Sequence, residues 1–225
     1  MDIQASINEL KAIPLFKGMS EQDIVSVLTC VGGFFKEYRK DAFIFLEEDK
    51  VQCVGCVLEG SVQMIREDIW ANRTVLITIG EKELFGESFA CGNQLTASVS
   101  FVANEKTKVL FLPFNRVMHS CSSACAHHQS LIVNMVTLIA EKNVALMAKI
   151  DIMSKKSLRE KIGAYLLFQA SYHNSKYFTI PFGRVQLAEY LNADRSALTR
   201  ELNNMKSEGY IDFEKNTFWI LKAFD

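Results

Sequence analysis

Between Gly32 and Pro113 apolar and polar residues alternate with a period near two, while on either side the apolar positions recur at helical spacing. The alternation predicts strands at Phe34–Tyr38, Ala42–Leu46, Gly55–Leu58, Ser61–Glu67, Thr74–Ile79, Ala97–Ala103 and Lys108–Pro113. Turn signals separate them at Lys40-Asp41, Glu59-Gly60, Ala71-Asn72, Gly80 and Asn104-Glu105. Many short strands at close intervals make an antiparallel barrel or roll. Ahead of them residues 6–31 read as helical. Leu10, Ile13 and Leu15 lead to Pro14 and Gly18, and Ser20-Glu21-Gln22-Asp23 caps a helix that turns Ile24, Val27 and Leu28 inward.

After Pro113 the helical period returns, first in a short helix at Phe114–Cys121 and then in a long one from about Ala126 to Met153. Within the long helix Ile132, Val136, Ile139, Asn143, Leu146, Ile150 and Met153 are spaced alternately four and three apart, which is a heptad seam. Val136, Asn143 and Ile150 share one core position; Ile132, Ile139, Leu146 and Met153 share the other. β-Branched residues at the first position favour two strands, and one central asparagine fixes register by pairing with its symmetry mate. A second stripe of Leu131, Met135, Leu138, Ala145 and Ile152 is free to pack on the roll. A single helix buried on two sides of a monomer is the plainer alternative. It would leave the Asn143 amide buried and unpaired, at about 1–3 kcal/mol, so a parallel homodimer is expected.

A polar break at Ser154–Ser157 precedes a further helix, Leu158–Ser171. Then Leu187, Ala188 and Leu191 mark a short helix, Asn192 supplies a residue that tolerates a left-handed backbone, and Asp194 is placed to cap the next helix. That second helix buries Leu198, Leu202 and Met205 and turns Arg195, Ser196, Thr199, Arg200 and Asn203 outward. Two short helices with a tight turn read as helix-turn-helix. An ordinary helical hairpin with solvated charges would share the pattern, but Tyr210–Phe213 and Thr217–Leu221 follow as β-rich runs around a polar tip at Glu214-Lys215-Asn216. A helix-turn-helix with such a wing is a module that binds double-stranded DNA.

Charge adds little. The 225 residues carry a net charge of −1. Residues 151–225 hold 11 Lys and Arg against 9 Asp and Glu, and residues 1–150 hold 14 against 17. The polarity suits a DNA-binding C-terminal part, though weakly. At 49% apolar and 23% charged residues the chain has the makings of a well-cored soluble protein. The first residues lack a basic region followed by an apolar one, so no secretory signal is expected. The longest apolar run, Leu131–Ile139, is interrupted by Asn134 and too short for a bilayer. A cytoplasmic location with reduced thiols follows, with no membrane partner.

The order of these parts resembles the Crp/Fnr family of bacterial transcription regulators along essentially the whole chain. The resemblance rests on Leu58-Glu59-Gly60-Ser61-Val62, Phe85-Gly86-Glu87, Thr96-Ala97-Ser98-Val99 and Leu187–Gly209. It implies an α+β protein in three parts: a sensor over residues 1–125, an N-terminal antiparallel β-roll of the double-stranded β-helix or jelly-roll type resembling a cyclic nucleotide-binding domain; a long dimerisation helix over 126–153; and a C-terminal winged helix-turn-helix over 154–225. It further implies a homodimer on a pseudo-palindromic site with half-sites about one turn apart, ~34 Å, with RNA polymerase as a further candidate partner. The family's three base-reading positions fall on Arg195, Ser196 and Arg200. Where many members have glutamate this chain has Ser196, so the family's usual half-site sequence is not carried over to it. Arg200 is the candidate for bidentate contact with guanine; Gln186, Thr199 and Lys215 are candidates for phosphates.

In relatives that bind a cyclic nucleotide, the turn after Gly-Glu supplies amides and a carboxylate to the ribose, and an arginine before Ser or Thr grips the phosphate. Gly86-Glu87-Ser88 fits that pattern, but the arginine position before Thr96 is Leu95, which forfeits a charged hydrogen bond of roughly 1.5–3 kcal/mol. Leu146 and Met147, where the base would lie, are apolar. A small-molecule effector other than a cyclic nucleotide is therefore expected between roll and long helix, with a cyclic-nucleotide response, motivated by the roll and Glu87, as the alternative; Glu87 is equally readable as a carboxylate that satisfies its own turn. Cys53 and Cys56 point to opposite faces of a strand, against shared ligation. Cys121 and Cys125, four apart and followed by His127 and His128, form a candidate redox pair or half a metal site; otherwise they are structural thiols, and no metal site is assigned. The cofactor stays unknown. No nucleophile–base constellation emerges, so no enzymatic function is expected.

Overall fold

The structure, a computed structural model, describes residues 6–68, 70, 73–92, 96–118 and 126–224. Two compact units divide the chain at Ala140 and Glu141, inside the long helix.

The first unit begins with α1 (Ile7–Lys11), a 3-10 turn at Pro14–Phe16 and α2 (Glu21–Val31). The expected capping box opens α2: Ser20 Oγ accepts from the Asp23 amide, and the Asp23 carboxylate accepts from the Ser20 amide. Among the described residues eight strands follow in chain order: β1 (Phe34–Tyr38), β2 (Phe43–Phe45), β3 (Cys53–Glu59), β4 (Val62–Glu67), β5 (Arg73–Ile79), β6 (Leu84–Phe85), β7 (Ser100–Ala103) and β8 (Thr107–Pro113). The short helix α3 (Glu87–Ala90) stands between β6 and β7, and α4 (Phe114–Met118) follows β8. The strands form two antiparallel four-stranded sheets, ordered β1-β8-β3-β6 and β2-β7-β4-β5, which is the expected roll.

Alternation explains where the cores lie. Along β3 and β8, Val57, Val109 and Phe111 face between the sheets, whereas Val54, Cys56, Leu110 and Leu112 face the helices. Both faces are covered, so these strands read as nearly continuous apolar runs. The space between the sheets is filled by rings. Phe85 and Phe101 lie 5.4 Å apart and Phe45 and Phe111 5.9 Å. Gly55 makes that packing feasible, since a Cβ there would meet the Phe85 ring at 2.4 Å. Lys108, nearly buried, ties β8 to the N-terminal segment through Glu9 at 2.8 Å and the Ser6 hydroxyl at 3.3 Å.

The long helix α5 spans Ala126–Ser154. In its first part Leu131 and Met135 bury against α1, α2 and the roll. The Asn134 amide, which broke the apolar run, donates to the carbonyls of Leu15 at 2.9 Å and Lys17 at 3.0 Å. By length and composition alone this helix could cross a membrane, which the shorter Leu131–Ile139 run did not suggest. Glu141, Lys142, Lys149 and Asp151 nevertheless lie within it.

In the second unit the end of α5 contributes Ile152 to a core built with α6 (Leu158–Tyr172), α7 (Arg184–Tyr190) and α8 (Arg195–Ser207). Ser157 caps α6 in a capping box with Glu160, so the break after Ser154 is a defined stop. A three-stranded antiparallel sheet completes the unit, ordered β10 (Ile211–Glu214), β11 (Thr217–Ile220) and β9 (Tyr177–Thr179). The strand β9 was not expected. Its three residues pair with β11, from Phe178 opposite Phe218 to Tyr177 opposite Trp219, so its signal lies far along the chain. The short elements β6 and α3, expected only as a turn, and the later start of β7 at Ser100 have the same origin. Gly55 and Cys56 pair with Phe85 and Leu84 to make β6. Ahead of β7, Thr96 keeps a single bridge to Lys50.

Candidate nucleic-acid interface

The turn between α7 and α8 takes the expected form. Leu187 and Ala188 are buried on α7, Leu191 closes the helix, and Asn192 adopts φ +48°. The Asp194 carboxylate then accepts from the amides of Ser196 at 2.8 Å and Ala197 at 3.0 Å, capping α8. The Ser196 hydroxyl donates to the same oxygen. These bonds, the hydroxyl first, hold the Asp194 carboxyl below its ordinary range. Leu198, Leu202 and Met205 bury one face of α8. Arg195, Ser196, Thr199, Arg200 and Asn203 are exposed on the other. Gly209, at φ +74°, ends the helix and lets the Tyr210 amide bond back to Met205.

Two of the polar side chains are engaged locally. Gln186 accepts from the Gly183 amide at 2.9 Å, and Thr199 donates to the Arg195 carbonyl at 2.8 Å. Ser196 is likewise turned toward Asp194, while Arg195, Arg200 and Asn203 are exposed on this face. Lys215, at the wing tip, is exposed with φ +50°, and its carbonyl accepts from Arg184 at 2.8 Å.

Three cations that the sequence did not single out hold this assembly together. Arg184 lies 4.9 Å from the Phe213 ring centroid and 5.3 Å from that of Phe218, joining α7 to the wing; partial burial lowers its pKa. Arg159 of α6 pairs with Glu201 and Glu208 at the two ends of the second half of α8 and stacks on Tyr210. Lys149 of α5 reaches Tyr190 at the end of α7. None has a spacing signal, because each partner lies at least 29 residues away along the chain.

The heptad seam is unburied in the single chain. Ile150 is 70% exposed, Val136 56% and Leu146 53%, Asn143 is exposed, and Ile132, Ile139 and Met153 are partly covered. Of the expected effector residues, Gly86 turns the chain at φ +76° and Glu87 is buried at the start of α3, while Ser88 and Thr96 are exposed. Leu146 and Met147 are exposed and belong to the second unit. Leu95, Cys121 and Cys125 lie outside the described residues. Among the described thiols Cys56 packs toward the helices and Cys53 toward the inside of the roll. Burial pushes Cys56 up to about 12, and burial with the Glu87 charge pushes Cys91 up to about 11.

Comparison with known proteins agrees with this architecture. The profile of the cyclic nucleotide-binding domain matches residues 35–123, and that of the Crp-like helix-turn-helix domain matches residues 160–223. No curated protein matches the chain in sequence. Among solved structures the chain is similar to the Thermus thermophilus catabolite activator protein, at 23% identity and TM-score 0.51, over 93% of this chain and 94% of that one. It is similar to the c-di-GMP responsive global regulator CLP of Xanthomonas campestris, at 15% identity and TM-score 0.55, over 90% and 100%. It is also similar to CprK complexed with OCPA, at 13% identity and TM-score 0.61, over 89% of each chain. With a roll of the cyclic nucleotide-binding type followed on one chain by a Crp-like helix-turn-helix domain, this protein belongs to the Crp/Fnr family of DNA-binding transcription regulators.

Proposed function

We propose that the protein is a homodimeric, sequence-specific regulator that reads a pseudo-palindromic DNA site and acts by binding rather than by catalysis. The observation that carries this reading is the exposed, arginine-bearing face of α8, capped at Asp194 and braced by α6 and the wing. Arg200 contacts guanine, Arg195 and the Ser196 position complete the base reading, and Gln186, Thr199 and Lys215 face phosphates. The exposed seam from Ile132 to Met153 joins two copies in parallel, with Asn143 fixing register. Residues 1–125 act as sensor, 126–153 as dimer helix and 154–225 as the DNA-binding domain, in the cytoplasm, with RNA polymerase as a further partner.

The effector in this reading is a small molecule other than a cyclic nucleotide, acting where the roll meets the long helix. Two observations support it. Leu95 stands where the phosphate-gripping arginine would be, and the rings of Phe45, Phe85, Phe101 and Phe111 fill the inside of the roll. Gly86, Glu87, Ser88 and Thr96 remain the residues nearest such a ligand in sequence. A redox or metal switch at Cys121 and Cys125 is the second reading, favoured by their spacing ahead of His127 and His128.

Selection from a random duplex library with the purified full chain at low salt tests the main reading. A pseudo-palindrome with half-sites about one turn apart should be enriched; no enrichment, with or without candidate effectors, overturns it. Calorimetry with cyclic AMP and cyclic GMP should give no heat, and a saturable signal overturns the effector assignment.

A further inference from the structure

Lys149 is an unusual lysine for a surface helix. Instead of extending into water, its ammonium turns inward, donates to the Tyr190 carbonyl and sits 3.6 Å from the centroid of the Tyr190 ring. Desolvation opposes this arrangement and, with Lys161 nearby, lowers its pKa. The cation–π contact and the charged hydrogen bond offset that cost. About one turn further along α5, Ile152 is buried at 1% exposure in the same core as α7 and α8.

The acceptor is fixed. Tyr190 is the last residue of α7, where helix carbonyls lack an intrahelical donor and the helix dipole is negative. Its ring is held by Tyr165 and Phe182, both at 5.2 Å, and Tyr165 is fully buried. Beyond it come Leu191, at 0% exposure, Asn192 in the left-handed conformation, Ala193, and then Asp194, the cap of α8. A rigid corner therefore separates the Lys149 bond from the start of the reading helix. Arg159 secures the far end of α8 through Glu201 and Glu208, which leaves the near end to be set from α7.

We propose that Lys149 is the positioning residue by which the long helix sets the near end of the recognition helix, through the Tyr190 carbonyl and ring. A rotation or shift of α5 carries Lys149 with it, moves the end of α7, and so re-aims Arg195 and Arg200. The inference rests on α8 being the reading helix. It adds to that reading a residue that never touches DNA yet governs how well DNA is bound.

Lys149→Met keeps the apolar stem and removes the ammonium; Lys149→Arg keeps a cation able to stack on Tyr190. Affinity is measured on the duplex that the wild-type protein selects, across a salt series. Thermal stability and amide hydrogen exchange are measured on the free full-length protein. Lys149→Met should weaken binding about tenfold with an unchanged salt slope, speed exchange at the Ser196 and Ala197 amides, and shift Tm by no more than about 2 °C. Lys149→Arg should restore affinity to within about threefold. Wild-type affinity and exchange in Lys149→Met would overturn the proposal. So would a salt slope reduced by about one, which marks a phosphate contact, or a Tm loss that accounts for the weaker binding. Exchange is read without DNA, so a wild-type protein that selects no duplex overturns the function while leaving this test intact.

Discussion

In the proposed dimer seam Ile150 is the most exposed apolar residue, at 70%. Replacement by alanine removes three carbons, each worth about 0.8 kcal/mol once buried. Scaled by the exposed fraction and counted on both copies of a symmetric pair, the loss is about 3 kcal/mol, or about two orders of magnitude in dissociation constant. The side chain contributes little to either core of the single chain, so the monomer should unfold at nearly the wild-type temperature. Sedimentation velocity over a dilution series measures the dimer, and far-UV circular dichroism checks the fold. Val144→Ala is the control. Val144 is 52% exposed on the same helix but sits one position past Asn143, off the seam, and its dissociation constant should stay within about threefold of wild type. An Ile150→Ala protein that dimerises as tightly as wild type, or a control that weakens as much, would refute the heptad assignment.

Other perturbations probe α8, its cap and the interior of the roll. Arg200→Ala should cost about 1–3 kcal/mol on the selected site and relax preference at one base position, read by repeating the selection; an unchanged preference removes Arg200 from base reading. Asp194 has its pKa lowered by Ser196 and the α8 amides. Its stabilising effect is therefore complete above the ordinary value of 3.8 and fades as pH falls through the lower folded value. Protection of the Ser196 and Ala197 amides, measured against their intrinsic exchange rates, should fall in that acid window in wild type but show no such step in Asp194→Asn. Gly55→Ala puts a methyl group into the Phe85 ring and should destabilise the first unit by about 1–3 kcal/mol in denaturant unfolding; a neutral result means the ring packing yields more easily than its geometry indicates.

What could be read without coordinates was whatever depends on near neighbours. The capping box at Ser20, the Asp194 cap, the Asn192 turn and the extent of α5 all rest on residues a few positions apart, and each stands as expected. The outward face of α8 was legible for the same reason, since Leu198, Leu202 and Met205 fix what remains. Elements defined by distant partners were not. The strand β9 exists because Phe178 meets Phe218, and β6 because Leu84 and Phe85 meet β3. The contacts of Lys149, Arg159 and Arg184 are long-range in the same sense: nothing local distinguishes them from solvated cations. Ser196 is a mixed case. Its exposure was foreseen, but the turn of its hydroxyl toward Asp194 depends on a rotamer.

The ring-filled interior of the roll has a consequence for signalling. A ligand that entered there would have to find the tilted and edge-to-face ring cluster of Phe45, Phe85, Phe101 and Phe111 already opened. If about 1% of molecules are open at any moment, the apparent dissociation constant is about a hundredfold weaker than the contacts alone would give. Under the proposed reading such a core would set a threshold: a small-molecule effector would pass unnoticed in traces and be answered only when it accumulates. A single Phe→Ala replacement in the cluster would then lower that threshold while leaving the residues proposed to read DNA unchanged.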